Sequence, residues 1–215
     1  MTVARAVVAI AKLRRMPALV VFRKMAHVMP FTPVDATKLC FLQLDGVPRV
    51  SPALLRGRGA VRRGTVADLD DLTALQDKRA VFESRFISGD HCVVAVANGR
   101  IVGYEWFCEQ PVHREGEWDY PIQIPSGSVY AYDAYIDPSY RNGGLWLRFK
   151  AYLSEWMAAH GKHAVITFVE HGNVASWRTH LRFGFVPTFT VLAVRIFGRT
   201  FFKVELAEGQ LESIH

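Results

Sequence analysis

Residues 135–146, Tyr-Ile-Asp-Pro-Ser-Tyr-Arg-Asn-Gly-Gly-Leu-Trp, constrain the fold more than any other stretch, because they join a strand pattern to a helix pattern through consecutive glycines. The run 129–136 is aromatic and β-branched, as a strand requires, and 145–160 (LWLRFKAYLSEWMAAH) places apolar residues at helical spacing. Gly143 and Gly144 open backbone conformations closed to other residues and let a ligand come close. A strand that turns this way into a helix leaves the first helical amides without carbonyl partners, at the positive end of the helix dipole. Such a turn can hold an anion, a phosphate above all. A plain strand–turn–helix joint has the same local sequence, so the loop alone leaves both readings open.

A second signature lies downstream. Residues 173–187, Asn-Val-Ala-Ser-Trp-Arg-Thr-His-Leu-Arg-Phe-Gly-Phe-Val-Pro, read as a short helix capped by Asn173 and ended by Gly184, then a strand. The pair resembles the GCN5-related N-acetyltransferase (GNAT) superfamily, with its Val-x-Pro-x-Tyr-Arg-x-x-Gly-x-Gly loop followed about thirty residues later by an Asn-x-x-Ser/Ala helix ending in Gly-Phe. Ile136, Pro138, Tyr140, Arg141 and Gly144 match the first motif, and Asn173, Ser176, Gly184 and Phe185 match the second. Trp146 stands where the family's last loop glycine belongs. The resemblance covers about residues 60 to 200.

The remaining elements follow in the superfamily's order. A short strand at 60–63 precedes a helix that Thr65 caps, with Asp68 in its first turn, and a second helix covers about 77–87. Strands at 92–97 and 101–107 form a hairpin about Asn98-Gly99, a strong turn signal. The mixed, Pro- and Gly-containing stretch 109–126 reads as a loop, 164–169 as a strand, and 188–196 and 199–205 as a closing hairpin. The fold class is α/β, a mixed and mostly antiparallel sheet flanked by helices.

At 215 residues and 50% hydrophobic content the chain suits one sizeable domain, 59–215, behind a basic N-terminal arm and connector, 1–58. Residues 1–65 carry twelve Lys and Arg against two acids, so the other 150, with 14 basic and 18 acidic groups, are net acidic although the chain is +6. A basic arm seeks an anionic partner: a carrier protein, a phospholipid surface or nucleic acid. No helix-turn-helix, finger or RNA-recognition motif supports nucleic acid. The first thirty residues are too often interrupted by Arg and Lys to span a membrane or direct secretion, leaving an amphipathic helix packed on the domain, on a second subunit as a homodimer, or on a membrane surface. Residues 31–58 read as an extended connector. Cys40, Cys92 and Cys108 show neither paired metal spacing nor a disulfide framework, so a reducing cytoplasm and no metal are expected.

The resemblance implies direct acyl transfer from acetyl-CoA or another acyl-CoA to a primary amine, with both substrates bound at once. It implies that Ala134, Tyr135 and Ile136 offer a strand edge to the pantetheine amides, with a backbone N–H near Tyr135 or Ile136 polarising the thioester. Arg141, Asn142, Gly143, Gly144, Leu145 and Trp146 would cradle the pyrophosphate, and Asn173 and Ser176 would bond the pantetheine arm. An ammonium group must lose a proton before it attacks, and Glu170 or Asp133 is the candidate base. His180, seven residues after Asn173 where many relatives carry tyrosine, is the candidate acid for the leaving thiolate. Asp133 reads equally as a paired sheet carboxylate, and His180 as an ordinary helix contact. Tyr104, Glu105, Trp106, Glu109, Glu115, Glu117, Trp118, Asp119 and Tyr120 read either as an acceptor mouth for a small-molecule amine or as a solvated loop beside a half-buried strand. Two alternatives stand beside the acetyltransferase: a long-chain N-acyltransferase fed by an acyl carrier protein, similar to N-acyl amino acid synthases, and a noncatalytic acyl-CoA-binding module.

Overall fold

A computed structural model describes residues 34–51, 55 and 59–206. The basic segment before Val34 lies outside the described residues. The chain divides into two compact units, one comprising 34–43 and 168–206 of the described chain, the other 44–167.

The larger unit carries the loop signature. Its sheet runs through β2 (Ala60–Gly64), β3 (His91–Ala97), β4 (Arg100–Cys108), β7 (Ser128–Ile136) and the start of β8 (Ala164–Glu170). All of these pairs are antiparallel except β7–β8. The β3–β4 turn is tight because Asn98 and Gly99 both take the left-handed backbone that such hairpins demand. On one face lie α1 (Leu69–Leu75) and α2 (Arg79–Ile87), which bury Leu69, Leu72 and Phe82 against Cys92, Val94, Ile101, Tyr104 and Trp106. Thr65 opens this helical pair as expected, its amide donating to Asp68 Oδ2 at 2.9 Å, while Arg62 holds both oxygens of the same carboxylate at 2.7 and 2.8 Å. α3 (Leu145–Ala159) turns Leu145, Phe149, Leu153 and Met157 inward, and its Trp156 packs on Phe107, a β4 neighbour of Trp106 that faces the opposite way. β4 is thus buried on both faces along all but its first residue.

Residues 109–126 are not the loop expected from their composition. They form a two-stranded hairpin, β5 (Val112–Glu115) with β6 (Tyr120–Gln123), closed by Glu115 accepting from the Trp118 amide at 2.7 Å. Pro121 and the charged residues hide the alternation in which His113 and Ile122 turn inward.

The smaller unit orders β10 (Arg199–Leu206), β9 (Val186–Ile196) and β1 (Val34–Asp45) beside the end of β8, with α4 (Val174–Phe183) attached. β1 corrects the connector reading over its own length, Val34–Asp45; residues 31–33, 52–54 and 56–58 of that segment lie outside the described residues. Its alternating core residues Leu39 and Phe41 are fully buried, and Phe41 stacks on Phe189 of β9 at 4.4 Å. That strand's partner lies about 150 residues away, beyond the reach of local pattern.

Candidate active site

The centre of the larger unit is an irregularity in β7. Gly103 and Tyr104 face Ile136 and Tyr135, but Trp106 faces Tyr132, so Asp133 and Ala134 together stand opposite Glu105. This is a β-bulge, and Asp133 adopts φ 42°, a conformation that few residues other than glycine accept. Two cations hold it there. Arg85 reaches Asp133 Oδ2 at 2.5 Å and Lys78 reaches Oδ1 at 3.3 Å. The Arg85 guanidinium also lies 4.9 Å from the Tyr132 ring and 5.3 Å from that of Trp106. Asp133 is therefore a paired carboxylate whose charge is engaged in shaping the strand. Burial pushes the neighbouring Tyr104 hydroxyl pKa up, with the Asp133 charge adding to the effect, so that hydroxyl keeps its proton.

Ahead of the bulge, β7 loses a partner. Its parallel ladder with β8 pairs only Ser128, Val129 and Tyr130 with Ala164, Val165 and Ile166, while β7 itself continues to Ile136. Among the described residues, Ala134, Tyr135 and Ile136 are in no ladder with β8. An edge of this kind offers backbone donors and acceptors to an extended ligand.

The loop that follows is built by local bonds. Asp137 accepts from the Ser139 amide at 2.9 Å and opens a single 3-10 turn, Pro138–Tyr140, and Arg141 Nε folds back to the Ile136 carbonyl at 3.0 Å. Asn142 and Gly144 take left-handed backbone, φ 65° and 75°. Gly143 does not, so the freedom expected of both glycines is used at Gly144 alone, with Asn142 supplying the other reversal. Gly144 is the N-cap of α3, and with no side chain to offer it leaves that helix start without a side-chain cap. Leu145 is buried and Trp146 half-buried. The Trp146 ring lies 4.9 Å from Lys150 Nζ, one turn along the same helix, and Lys150 pairs at 2.5 Å with Glu105, both side chains almost wholly buried. The indole is thus tied to the flank of α3.

Several residues of the expected acceptor mouth are elsewhere. Tyr104 and Trp106 are core, Glu105 is the buried partner of Lys150, and Trp118 is buried under the β5–β6 hairpin turn. Sequence reading missed Arg85, Lys78 and Lys150 because each meets its partner 45 to 55 residues away, with no local motif to announce it.

Glu170, Asn173, Ser176 and His180 belong to the smaller unit and form a group of their own. Glu170, at the end of β8, accepts from Thr37 Oγ1 at 2.7 Å. Asn173 caps α4 by accepting from the Ser176 amide at 3.2 Å. His180 is buried, edge-on to Phe185, and its Nδ1–H donates to the Ser176 carbonyl at 2.8 Å. That bond fixes the tautomer: in the neutral ring the proton sits on Nδ1 and Nε2 carries the lone pair. His180 can therefore donate from Nε2 only as the imidazolium.

Known proteins resemble this chain in sequence and fold. The model of the acetyltransferase (GNAT) family matches residues 66–185. An L-methionine sulfoximine/L-methionine sulfone acetyltransferase of Salmonella typhimurium is 30% identical over 152 residues, covering 67% of this chain and 82% of its own. An L-amino acid N-acyltransferase of Escherichia coli is likewise 30% identical over 152 residues, 67% of this chain and 81% of its own. A solved GNAT-family structure from Novosphingobium aromaticivorans superposes with a TM-score of 0.56 at 15% identity, over 78% of this chain and 70% of the other.

Proposed function

The chain belongs to the acetyltransferase (GNAT) family and is an N-acyltransferase, and from that premise we propose that its acceptor is the amino group of an amino acid or a close analogue, with acetyl-CoA as donor. The observation that carries this reading is the β7 edge released after Tyr130 and followed directly by the uncapped start of α3. The 134–136 backbone pairs with the pantetheine amides as an added strand, and the amides of 141–146 receive the pyrophosphate at the helix's positive end. The amine nitrogen attacks the thioester carbonyl carbon, the carbon–sulfur bond breaks, and the electron pair leaves on sulfur. An N–H near Tyr135 or Ile136 steadies the oxyanion between these events. Glu170 accepts the ammonium proton before attack, directly or through water, the second nitrogen proton passes to water once the carbon–nitrogen bond has formed, and the His180 imidazolium protonates the thiolate. Asp133, engaged by Arg85 and Lys78, serves the strand's shape. Holding both substrates together replaces a bimolecular encounter and supplies much of the acceleration.

Among the described residues no helix is long and apolar enough to cross a membrane. We place the reaction in the cytoplasm. An acyl carrier protein or a membrane surface met by the basic arm is the companion reading, and it predicts a longer-chain donor.

The test combines binding and turnover. Acetyl-CoA is expected to raise the melting temperature of the native protein, and Gly144→Trp, which forces a bulky L-residue into left-handed backbone at the loop, to remove the rise. With a panel of L-amino acids, thioester consumption is expected to appear with at least one, and Glu170→Gln to lower kcat by about 100-fold or more. Stabilisation by long-chain acyl-CoA or acylated carrier protein alone would transfer the assignment to the long-chain reading. Binding without consumption of any thioester would leave a noncatalytic module.

A further inference from the structure

On the α1–α2 face of the larger unit, three side chains that acyl transfer does not use come together. Asp90 stands just before β3, Cys108 ends β4, and His113 lies in β5. The β3–β4 register sets His91 opposite Phe107, which brings Asp90 and Cys108 to the same end of the sheet, and β5 follows four residues after Cys108. Cys108 Sγ and His113 Nδ1 are 3.5 Å apart, and ligand atoms from all three residues lie within 4.8 Å of one another.

We propose that Asp90, Cys108 and His113 bind one divalent ion of the zinc type, clipping the β5–β6 hairpin to the end of the sheet. Thiolate, imidazole and carboxylate together suit Zn²⁺ or Co²⁺, whereas Mg²⁺ and Ca²⁺ prefer all-oxygen sets. The spacing agrees with that choice: Zn–S near 2.3 Å and Zn–N near 2.0 Å at a tetrahedral angle place sulfur and nitrogen about 3.5 Å apart. One thiolate and one carboxylate neutralise a dication, which makes it tolerable beside a cysteine only 1% exposed. The surroundings orient the donors. The Tyr132 hydroxyl donates to Asp90 Oδ2, and the His113 ring packs 4.4 Å from the Tyr132 ring and 5.1 Å from the Tyr130 ring. Arg85, the nearby cation, is committed to Asp133. Asp90 and His113 remain half-exposed, so water can complete the tetrahedron. On binding, a sulfur–metal bond forms at Cys108 and the thiol proton passes to solvent. The sequence hides the site because Cys-x4-His with an Asp 18 residues earlier is no metal motif, and its expectation of no metal took spacing as the only guide.

Cobalt titration of the full chain, first freed of metal by a chelator, tests the proposal. One equivalent of Co²⁺ is expected to give a sulfur-to-cobalt charge-transfer band and the intense visible bands of four-coordinate cobalt, both removed by stoichiometric Zn²⁺ and unaffected by Mg²⁺. Cys108→Ser is expected to abolish the charge-transfer band, Cys40→Ser to retain it, and Tyr132→Phe to weaken binding about 10- to 100-fold by freeing Asp90. Should Cys108→Ser fail to fold, the readout is the Zn²⁺-dependent rise in melting temperature of the unaltered protein, which the half-exposed His113→Asn must remove. Absence of the charge-transfer band in the unaltered protein, its survival in folded Cys108→Ser, or an unchanged melting rise in His113→Asn would overturn the site.

Discussion

Lys150 is the residue whose environment is least expected of its type: its ammonium sits at 1% exposure in a helix that otherwise turns Leu, Phe and Met inward. Glu105 meets it from β4, and Trp146 lays its ring beside it, so one buried charge is answered by an anion and by an aromatic face. Removing one partner strands the other charge in the core. Lys150→Met is expected to cost about 3–5 kcal/mol of unfolding free energy, whereas Glu105→Leu with Lys150→Met together should be near neutral or stabilising. Denaturant unfolding of the two single variants and the double variant measures the coupling. A single-variant loss under about 1 kcal/mol would mean that the pair is not closed in solution. The family pattern has glycine where this chain has Trp146, and the Lys150 contact gives the indole a place on the flank of its own helix.

At the level of elements, β7 is a strand whose shape is set by one extra residue. The bulge requires Asp133 at φ 42°, and asparagine tolerates that backbone almost as well as aspartate. Asp133→Asn therefore separates two roles. With the carboxylate engaged by Arg85 and Lys78, the variant should lose stability while kcat/KM keeps its pH profile, because the bulge persists and the base proposed above is Glu170. Loss of the acidic limb of that profile, where the base must be unprotonated to act, would instead make Asp133 the base. The strand–glycine–helix joint was legible in sequence because its signals are local: the aromatic run, Gly144 and the periodicity of α3. The Asn173 cap and the Gly184 stop were legible for the same reason. The bulge was not, since an extra residue has meaning only against the register of β4. β1 and the β5–β6 hairpin escaped because one pairs with a strand far along the chain and the other carries proline and charge on its outward positions.

For the molecule as a whole, charge links these parts to solvent. The chain is +6 at pH 7, and complete protonation of its 20 Asp and Glu leaves only the positive charge of 26 Lys and Arg and 8 His. Acid therefore both builds repulsion and dissolves the ion pairs that organise the larger unit. Asp68 shows the sign at one position. Hydrogen bonds from Arg62, with the Thr65 amide adding to them, hold its carboxyl below the usual aspartate range despite the opposing effect of burial. A depressed folded pKa means that the unfolded chain binds the proton more tightly. The stabilisation is thus fully present above the ordinary aspartate pKa of about 3.9 and is lost as pH falls through the lower folded value. Asp68→Asn should be clearly less stable than the parent at pH 7, and the two should converge as pH drops below about 4. Denaturant midpoints measured from pH 7 to pH 2 check this, with added salt expected to recover the part of the acid loss that comes from general repulsion. A constant difference across that range would show that Asp68 acts through its shape alone and that the Arg62 pair carries no charge-dependent stability.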